Sequence, residues 1–395
     1  MEVVLVTVGV GDHTRNTDGF ISIDCGIDDG YSYTDGKTTI PYNSDTNYVA
    51  TGVNHNISTR FDSDTTIATQ DRTLRSFPQD KRSCYTLPVE EGQKYLVRAT
   101  FLHGNYDGRK VSSVDPILFD LHLGVNLWES VNISDVTWTH ESEVITVALA
   151  GYISVCLVNK DKGTPFISSL ELRPLRKETL YPAATASVAL VKYSRFDFGG
   201  SIELRFPDDP YDRIWTPFND DNKWTRIRTT SLVQSRFDDL FEVPSAVLQT
   251  AVVPINSTEA ELFFSWGLPN YQDVRPQFNI FMHFTELQPL ALGQSRNFIV
   301  YLNGNQWSDR PYSPSYLLSG YIYSTIPSYV YQYNVSIKET ATSTLPPIIN
   351  ALETYTVMQL TENATDGSDG MHANHLVFLS ENVDVVAVFL ECRTN

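Results

Sequence analysis

The chain has 395 residues, 42% of them hydrophobic and 12% aromatic, a composition that fills globular cores and argues against disorder. Its 29 basic and 47 acidic residues give a formal net charge of −18, which repels phosphate backbones and anionic lipids and argues against nucleic-acid and membrane-surface partners. No apolar run reaches the roughly 20 residues of a bilayer-crossing helix, so no membrane span is predicted in this chain.

Strand patterns occur in both halves of the chain. Segments 95–101 and 117–123 alternate apolar with mixed positions and are rich in aromatic and β-branched residues. Segments 278–284 and 298–302 show the same alternation. Long helical periods are nearly absent, and Gly and Pro recur at the spacing of loops between strands. The sequence therefore predicts an all-β fold.

The two halves repeat each other in four ordered places with a nearly constant offset of 173 to 183 residues. The paired landmarks are 24–26 (Asp-Cys-Gly) with 197–199 (Asp-Phe-Gly), Phe101 with Phe284, Phe119 and Trp128 with Phe298 and Trp307, and 165–171 with 347–353. Single resemblances between β segments are common, but an ordered set indicates a duplication.

The duplication predicts two tandem β-sandwiches of jelly-roll type, because the first and last strands of each unit are far apart in sequence and pair at long range. Prolines at 174 and 182 stiffen the connection and predict a fixed relative orientation. The predicted divisions are an N-terminal segment at 1–19, domain one at 20–174, a linker at 175–190, domain two at 191–361 and a C-terminal segment at 362–395.

Cysteines and glycosylation sequons bear on the compartment. Four cysteines allow three complete pairings; we predict Cys84 with Cys156, on strand-like segments of one domain, and leave Cys25 and Cys392 free. Four buried thiols are the alternative. Five Asn-x-Ser/Thr sequons together favour secretion and glycosylation, at Asn56, Asn132, Asn256, Asn334 and Asn363.

Six motifs stand in order in the first half: Phe-Ile-Ser-Ile-Asp-Cys-Gly at 20–26, Arg-Ser-Phe-Pro at 75–78, Cys-Tyr-Thr-Leu at 84–87, Tyr-Leu-Val-Arg-Ala-Thr-Phe at 95–101, Gly-Asn-Tyr-Asp-Gly at 104–108 and Thr-Pro-Phe-Ile-Ser-Ser-Leu-Glu-Leu-Arg-Pro at 164–174. They resemble the malectin-like region of plant leucine-rich-repeat receptor-like kinases, with the symbiosis-receptor-kinase group among the most similar. The resemblance extends over about residues 20 to 360. It implies two malectin-like folds, a cell-surface location and a role in recognition.

The resemblance also implies a continuation that this sequence does not contain. Family members usually continue into a Gly-Asp-Pro-Cys-type linker, leucine-rich repeats, a membrane helix and a kinase. The chain is therefore interpreted either as an ectodomain of such a receptor or as a secreted relative that acts as a decoy or soluble co-receptor. No phosphate loop or kinase catalytic-loop motif is present.

Sugar binding is the property of the family's animal founder, whose loop aromatics stack on a glucose disaccharide. At the matching positions this chain has Asn105 and Tyr106 in domain one and Gln288 and Pro289 in domain two. Only Tyr106 keeps the aromatic ring, so the resemblance implies a reduced sugar platform. Asp107 beside it is either a ligand to a hydroxyl group or a turn residue.

Two further loops are candidate contact sites. Tyr31 and Tyr33 stand among acidic residues, an arrangement that fits a partner contact or a calcium ion, although no EF-hand spacing exists. Tyr211, Trp215 and Trp224 form the densest aromatic loop of the second half and serve either a partner or packing at the domain junction.

Catalysis has little support, since no nucleophile–base pair is evident and His372 and His375 lack further metal ligands. We therefore expect a non-enzymatic protein without catalytic residues, cofactor or metal. The leading hypothesis is an extracellular recognition module that binds a peptide, protein ligand or co-receptor in or near the inter-domain cleft. The alternative is a lectin-like module that binds cell-wall or secreted carbohydrate, and a secreted carbohydrate-active enzyme is a weaker third.

Overall fold

The computed structural model describes residues 16–61, 63–255, 261–267, 277–324, 328–329 and 332–361, and these form an almost entirely β-structure, as predicted. The strands of the first half are β1 (Ile21–Asp24), β2 (Ser32–Thr34), β3 (Pro41–Ser44), β4 (Val53–Asn56), β5 (Thr73–Ser76), β6 (Arg82–Pro88), β7 (Lys94–Leu102), β8 (Ile117–Leu123), β9 (Asn126–Ile133), β10 (Thr139–Val147), β11 (Tyr152–Lys162), β12 (Phe166–Ile167) and β13 (Ser169–Leu175). Two 3-10 turns lie between β4 and β5, at Thr59–Phe61 and Thr69–Asp71.

The second half repeats this order of elements. Its strands are β14 (Val188–Phe198), β15 (Thr216–Phe218), β16 (Trp224–Arg228), β17 (Thr250–Pro254), β18 (Glu261–Gly267), β19 (Gln277–Phe284), β20 (Phe298–Leu302), β21 (Asn305–Gln306), β22 (Gly320–Tyr323), β23 (Ser328–Tyr329), β24 (Gln332–Glu339) and β25 (Ala351–Gln359), with one helix α1 (Ser245–Leu248). Within the described ranges no helix is long and apolar enough to cross a bilayer.

One long sheet runs through both halves in the order β2-β3-β1-β13-β7-β10-β14-β25-β19-β22. The first half contributes β1-β13-β7-β10 and the second contributes β14-β25-β19-β22, so the two units have the same strand order and are joined head to tail. The join is the antiparallel pair β10–β14, in register at Val144 with Val191 and Ile145 with Leu190. The duplication inferred from the sequence is therefore present in the topology.

A second sheet packs on each unit and closes it into a sandwich. Its order is β6-β11-β8-β9 in the first half and β18-β24-β20-β21 in the second. The repeated aromatic landmarks meet across the sandwich in both units: the ring centroids of Phe101 and Phe119 are 5.5 Å apart, and those of Phe284 and Phe298 are 5.1 Å apart. The predicted fold of two tandem sandwiches, each with its own aromatic core, is confirmed.

Strand burial differs from the predicted alternation at the centre of the long sheet. β8 alternates buried and half-buried residues, but β7 is buried on both faces after its first residue. Both faces of β7 are buried because the second sheet packs on one of them and a loop from the second half packs on the other.

The connection between the units is short and packed. β13 ends at Leu175 and β14 begins at Val188, so the predicted linker at 175–190 overlaps the ends of both strands, and the domain boundaries remain a prediction. Leu180 and Tyr181 are fully buried, and the Tyr181 hydroxyl donates to the Glu353 carboxylate at 2.8 Å. The connecting segment is therefore part of the second core.

The repeated Asp-x-Gly landmark has a structural cause in both units. Asp24 accepts a hydrogen bond from the Thr73 hydroxyl, and Asp197 accepts one from the Thr250 hydroxyl at 2.7 Å. A Cβ added at Gly26 would lie 2.2 Å from the backbone N of residue 74, and one at Gly199 would lie 2.6 Å from the backbone O of residue 251. The glycine lets a neighbouring strand approach the end of the first strand of each unit.

Candidate ligand-binding site

The loop after β7 carries the residues to which the sugar-site resemblance points. Gly104 and Asn105 both have positive φ, at 53°, which turns the chain sharply away from β7. The half-buried Tyr106 ring then lies 4.7 Å from the His55 ring and 4.9 Å from the His103 ring, between centroids. The two histidine rings cover part of the Tyr106 ring, so less of its surface is free to stack on a ligand than in an exposed aromatic platform.

Polar groups surround Tyr106. Nε2 of the buried His103 lies 3.4 Å from a carboxylate oxygen of the partly exposed Asp107, and Nε2 of His55 lies 2.9 Å from the Ser76 hydroxyl. Burial lowers the pKa of both histidines, which keeps them neutral at pH 7. Burial and then Asp107 raise the pKa of Tyr106 to about 12. The cluster can exchange hydrogen bonds with an uncharged ligand through neutral groups.

Sequence reasoning missed the two histidines of this cluster. His103 is next to Gly104 in the chain, so its position beside the loop could have identified it from the sequence. His55 is on β4 and joins the cluster only through tertiary folding. Asp107 also accepts the backbone N–H of Arg109 at 2.9 Å, which fits its turn role.

The corresponding loop of domain two has no aromatic platform. Gln288 and Pro289 are exposed, and Gln288 Oε1 accepts a hydrogen bond from Arg296 at 3.0 Å. Leu292, further along the same loop, is fully exposed. The two loops are thus chemically different, and only domain one retains a ring next to polar groups.

Tyr31 and Tyr33 do not form one exposed surface. Tyr31 is 59% exposed. Tyr33 stacks on Tyr42 with centroids 5.7 Å apart and donates to the Asp24 carboxylate at 3.0 Å. No group of three His, Cys, Asp or Glu side chains suited to a metal ion occurs in the part of the chain that the structure describes, so the calcium alternative gains no support.

The aromatic loop of domain two lies in the core. Trp215 is 0% exposed and donates its indole N–H to Asp209 at 2.7 Å. Trp224 packs among Phe rings, and the buried Tyr211 donates its hydroxyl to Glu242. These three side chains offer no exposed aromatic surface to a partner. Their packing lies within the core of the second half, and their ligand contact stays a prediction.

A row of charged side chains crosses five adjacent strands at the centre of the long sheet. Its members are Glu171 on β13, Arg98 on β7, Glu143 on β10, Arg195 on β14 and Glu353 on β25. Successive members form ion pairs with N–O distances of 2.5, 2.9, 2.6 and 3.0 Å. All five are at most 2% exposed. Because the signs alternate, opposite charges offset the desolvation of each member.

A loop of the second half covers the first-half end of this row. The Asp212 carboxylate accepts hydrogen bonds from Arg173 at 2.8 Å and from Arg205 at 2.7 and 2.8 Å. The Asp212 carbonyl accepts a bond from Arg98 at 2.6 Å. Burial opposes ionisation of Glu171, but Arg173, Arg205 and Arg98 outweigh it and hold its pKa at about 2. The two domains are therefore locked together through ionised groups on this face.

A shallow recess lies where the end of β25 meets domain one. We call it the junction recess, and its lining includes Asn126, Ala150, Tyr152, Leu360 and Thr361. The Asn126 side chain accepts the backbone N–H of Thr361 at 3.0 Å, an exposed hydrogen bond that links the end of the second half to domain one. The volume is about 60 Å³, well below the roughly 300 Å³ at which small-molecule sites begin. A ligand here would bind to a surface.

The predicted covalent features are partly located. Cys84 and Cys156 form a disulfide between β6 and β11, which confirms the predicted pair, and Cys25 is a buried free thiol. Asn56 is exposed at the end of β4, whereas Asn132 and Asn334 are half-buried within strands. Asn256, Asn363, Cys392, His372 and His375 lie outside the described residues, and glycosylation stays a prediction at all five sequons.

Known proteins share both the sequence pattern and the fold. The malectin-like domain model matches residues 23–357. A putative leucine-rich repeat receptor-like serine/threonine-protein kinase of Arabidopsis thaliana is 37% identical over 372 residues, which are 93% of this chain and 41% of that protein. A probable LRR receptor-like serine/threonine-protein kinase of the same plant is 39% identical over 363 residues, 90% of this chain and 40% of that protein. The chain spans about two fifths of the length of these relatives.

Solved structures extend the comparison. The ANX2 ectodomain from Arabidopsis thaliana has a TM-score of 0.70 at 17% identity, and the match covers 87% of this chain and 98% of the ANX2 chain. The structure of the plant peptide RALF23 in complex with FER and LLG2 includes a chain with a TM-score of 0.65 at 14% identity. The match covers 86% of this chain and 95% of that chain. At these identities the likeness shows a common fold. Together with the family match, it shows that this chain belongs to the malectin-like family and consists of two tandem malectin-like domains.

Proposed function

We propose that the chain is the extracellular recognition module of a plant receptor-like kinase, or of a secreted relative, and that it binds a peptide or protein partner at the junction of its two domains. The observation that carries this proposal is the junction itself. Two sandwiches held in one orientation by buried ion pairs present a preformed composite surface, and a preformed surface binds at a lower entropic cost.

The similar proteins support a polypeptide ligand. The relatives with 37% and 39% identity are receptor-like kinases, and one solved structure of the same fold contains the peptide RALF23 with FER and LLG2. The small volume of the junction recess also favours an extended or protein partner over an enclosed small molecule. Within the recess, Tyr152 supplies a ring and Thr361 a polar group, a combination common in protein interfaces.

A binding screen with mapping tests the proposal. The immobilised chain is exposed to a library of synthetic secreted plant peptides, and hydrogen exchange locates the protected backbone of each hit. We expect a hit to protect the junction recess and to lose at least about tenfold affinity on Tyr152→Ala, as a central aromatic contact does. Tyr301→Ala, a half-buried tyrosine on β20, is the matched control and should leave affinity unchanged. Unchanged binding by Tyr152→Ala with protection elsewhere would place the partner away from the junction.

The lectin alternative has one specific observation in its favour, the Tyr106 ring with His55, His103 and Asp107 around it. Calorimetry against cell-wall oligosaccharides distinguishes the two functions. Binding of a glycan that is lost on Tyr106→Ala, together with no peptide binding in the screen, would establish the lectin and reject the peptide receptor.

A further inference from the structure

The last strand of the long sheet has an open edge. β22 pairs antiparallel with β19, and no strand in the described part of the chain pairs with its other edge. On the far side of β19, the His283 carbonyl accepts the backbone N–H of Asn350, so the backbone of His283 faces β25. Backbone groups of an antiparallel strand alternate between its two neighbours. Tyr321, which lies opposite His283, and Tyr323 therefore direct their N–H and C=O groups to the open edge.

This edge lacks the features that usually protect an exposed strand. Edge strands commonly carry a charge, a proline or a bulge, which prevents pairing with another chain. β9, an edge strand of domain one, is protected in this way by a register shift and by the carboxylate of Glu129. β22 instead has the sequence Gly-Tyr-Ile-Tyr, and its last three residues are half-buried. It is therefore both accessible and uncharged.

The equivalent strand of domain one shows that a further strand fits at this position. β22 is the fourth strand of its unit in the order β14-β25-β19-β22, as β10 is in the order β1-β13-β7-β10. The outer side of β10 pairs antiparallel with β14, at Val144 and Ile145. One unit of this chain therefore already extends its sheet across the edge that β22 leaves open.

The two edges differ in charge. When the repeated phenylalanine landmarks of β7 and β19 are aligned, Tyr321 takes the place of Glu141 and Tyr323 that of Glu143. In domain one the added strand β14 matches these two carboxylates with a lysine and an arginine. The edge of domain two has two uncharged tyrosine rings there, 5.5 Å apart between centroids. A strand added to β22 therefore needs apolar or aromatic side chains on this face, not cations.

A fully exposed aromatic side chain lies beside the open edge. It is Phe237, at the tip of a loop that runs along the segment before β22. Gln234 of this loop donates its backbone N–H to Leu317 at 3.0 Å, and the carbonyl of Asp238 accepts the Tyr321 hydroxyl at 3.2 Å. The second contact holds the neighbour of Phe237 against β22. Aromatic rings are enriched in protein interfaces, so this ring is a suitable anchor for a bound polypeptide.

We propose that the open edge of β22 binds an extended segment of a polypeptide partner. The segment adds to the long sheet as an antiparallel strand and places apolar side chains on Tyr321, Tyr323 and Phe237. A strand edge recognises a row of backbone N–H and C=O groups at strand spacing, which identifies the partner as a polypeptide. The surface is separate from the junction recess, so it is a second contact site and does not depend on what binds at the junction.

A synthetic strand tests the site. The probe is the peptide acetyl-Lys-Thr-Val-Thr-Val-Thr-Lys-amide, and the control is the same peptide N-methylated at its five central residues. The control keeps the charge and the side chains but loses the backbone donors. Binding is followed by heteronuclear NMR and hydrogen exchange of the intact chain. We expect the probe to shift the signals of residues 320–324 in a saturable manner and to slow their exchange, with at least about tenfold weaker binding of the control.

Matched variants test the contacts. Phe237→Ala removes a fully exposed ring, so it should leave the melting temperature unchanged and weaken the probe at least about fivefold. Leu292→Ala removes an equally exposed side chain from another loop of domain two and should bind the probe as the parent chain does. Tyr323→Pro removes an outward N–H, which an edge strand tolerates, and should abolish binding. Tyr323→Phe keeps that N–H and should bind normally.

Other occupants of the edge give different results. If residues 320–324 already exchange slowly in the dilute free chain, another part of the chain covers the edge and the proposal is wrong. If slow exchange appears only as the concentration of the chain rises, the occupant is a second copy and the proposal is also wrong. Equal binding of both peptides, or equal binding of the probe by Phe237→Ala and Leu292→Ala, would overturn it too.

Failure of this site and failure of the junction proposal are distinguishable. If the probe binds at β22 and no screened peptide protects the junction recess, the edge site stands and the junction proposal is wrong. If a screened peptide protects the recess but the probe leaves residues 320–324 unchanged, the junction proposal stands and the edge site is wrong.

Discussion

Arg195 and Glu143 belong to different sandwiches, and the guanidinium of the first donates to the carboxylate of the second at 2.6 Å. Each partner is fixed by a further ion pair on its own side, Arg195 with Glu353 and Glu143 with Arg98. Only two residue pairs of β10 and β14 are in sheet register, so side chains supply the rest of the contact at this strand pair, both the ion pairs and apolar residues such as Leu96 and Ile145, which pack in the core of the second domain. Ionised side chains therefore contribute to holding the two domains in one orientation.

Removing one carboxylate from this row should destabilise the whole chain. Glu143→Gln removes the buried carboxylate that Arg195 and Arg98 share, so that each arginine keeps only its other partner, Glu353 or Glu171. Breaking buried pairs in this way costs about 3–5 kcal/mol. Urea denaturation should show that loss in the free energy of unfolding. Asp221→Asn, which breaks the exposed pair with Arg226, should change the free energy of unfolding little, because solvent screens that pair. Similar losses for both variants would show that the buried row does not hold the domains together.

Asp197 should make stability depend on pH. Burial raises its pKa from 3.8 to about 7, although the Thr250 hydroxyl acts in the opposite direction. Because the folded-state pKa is the higher one, the folded chain binds this proton more tightly than the unfolded chain does. The stabilisation of the folded chain by the proton on Asp197 is complete below about pH 4 and is lost as the pH rises to about 7. The free energy of unfolding then falls by up to about 1.4 kcal/mol per pH unit.

The variant Asp197→Asn keeps the acceptor for Thr250 but cannot titrate. Its unfolding free energy, measured in urea from pH 4 to pH 8, should fall less steeply with rising pH than that of the parent chain. Asp238→Asn serves as the control because that carboxylate is exposed and its pKa is lowered, not raised. Parallel pH profiles for the parent and Asp197→Asn would contradict the assignment of this titration to Asp197.

Gly26 should tolerate no side chain. A Cβ at this position would lie 2.2 Å from the backbone N of residue 74, so β5 or β1 has to move, and such overpacking costs about 1–3 kcal/mol. We expect Gly26→Ala to lower the melting temperature by several degrees. Gly36→Ala, where no atom lies within 4 Å of the added carbon, should change it little. Equal shifts would mean that close strand approach is not what requires Gly26.

The disulfide should account for a sizeable part of the stability of domain one. It closes a loop with a sequence separation of 72, for which loss of the bond costs about 2–4 kcal/mol. The double variant Cys84→Ser with Cys156→Ser should unfold at a correspondingly lower urea concentration. A reducing agent should lower the stability of the parent chain and leave that of the variant unchanged, and an equal response of both would exclude the disulfide as the cause.

The sequence predicted what is encoded locally or by repetition. Alternation in β8 and β20 reports a strand with one buried face, so these elements were recognised within their bounds. The Asp-x-Gly landmark repeated because each unit needs the same close approach of two strands. Cys84 and Cys156 were paired correctly because both lie on neighbouring strands of one unit.

The central charges and the buried tryptophan could not be predicted in the same way. Arg98 and Glu171 are 73 positions apart, and a polar residue in a strand ordinarily indicates a solvent-facing side. Here the polar face of the long sheet is covered by a loop of the other domain, which also buries Trp215. The one available signal was an arginine inside the apolar run 95–101, which indicates that this sheet face is buried and its charges are ion-paired.

The covering loop also determines the order in which contacts form during biosynthesis. β7, β10 and β13 leave the ribosome before Arg205 and Asp212 do, and at about 5–20 residues per second the delay is a few seconds. During that time Arg98, Glu171 and Arg173 lack the Asp212 contacts that later cover them, and water has to solvate them instead. The amino-terminal sandwich is thus completed by the nascent carboxy-terminal one, and a polypeptide that stopped near Leu175 would expose a charged sheet face that the second domain covers in the folded chain.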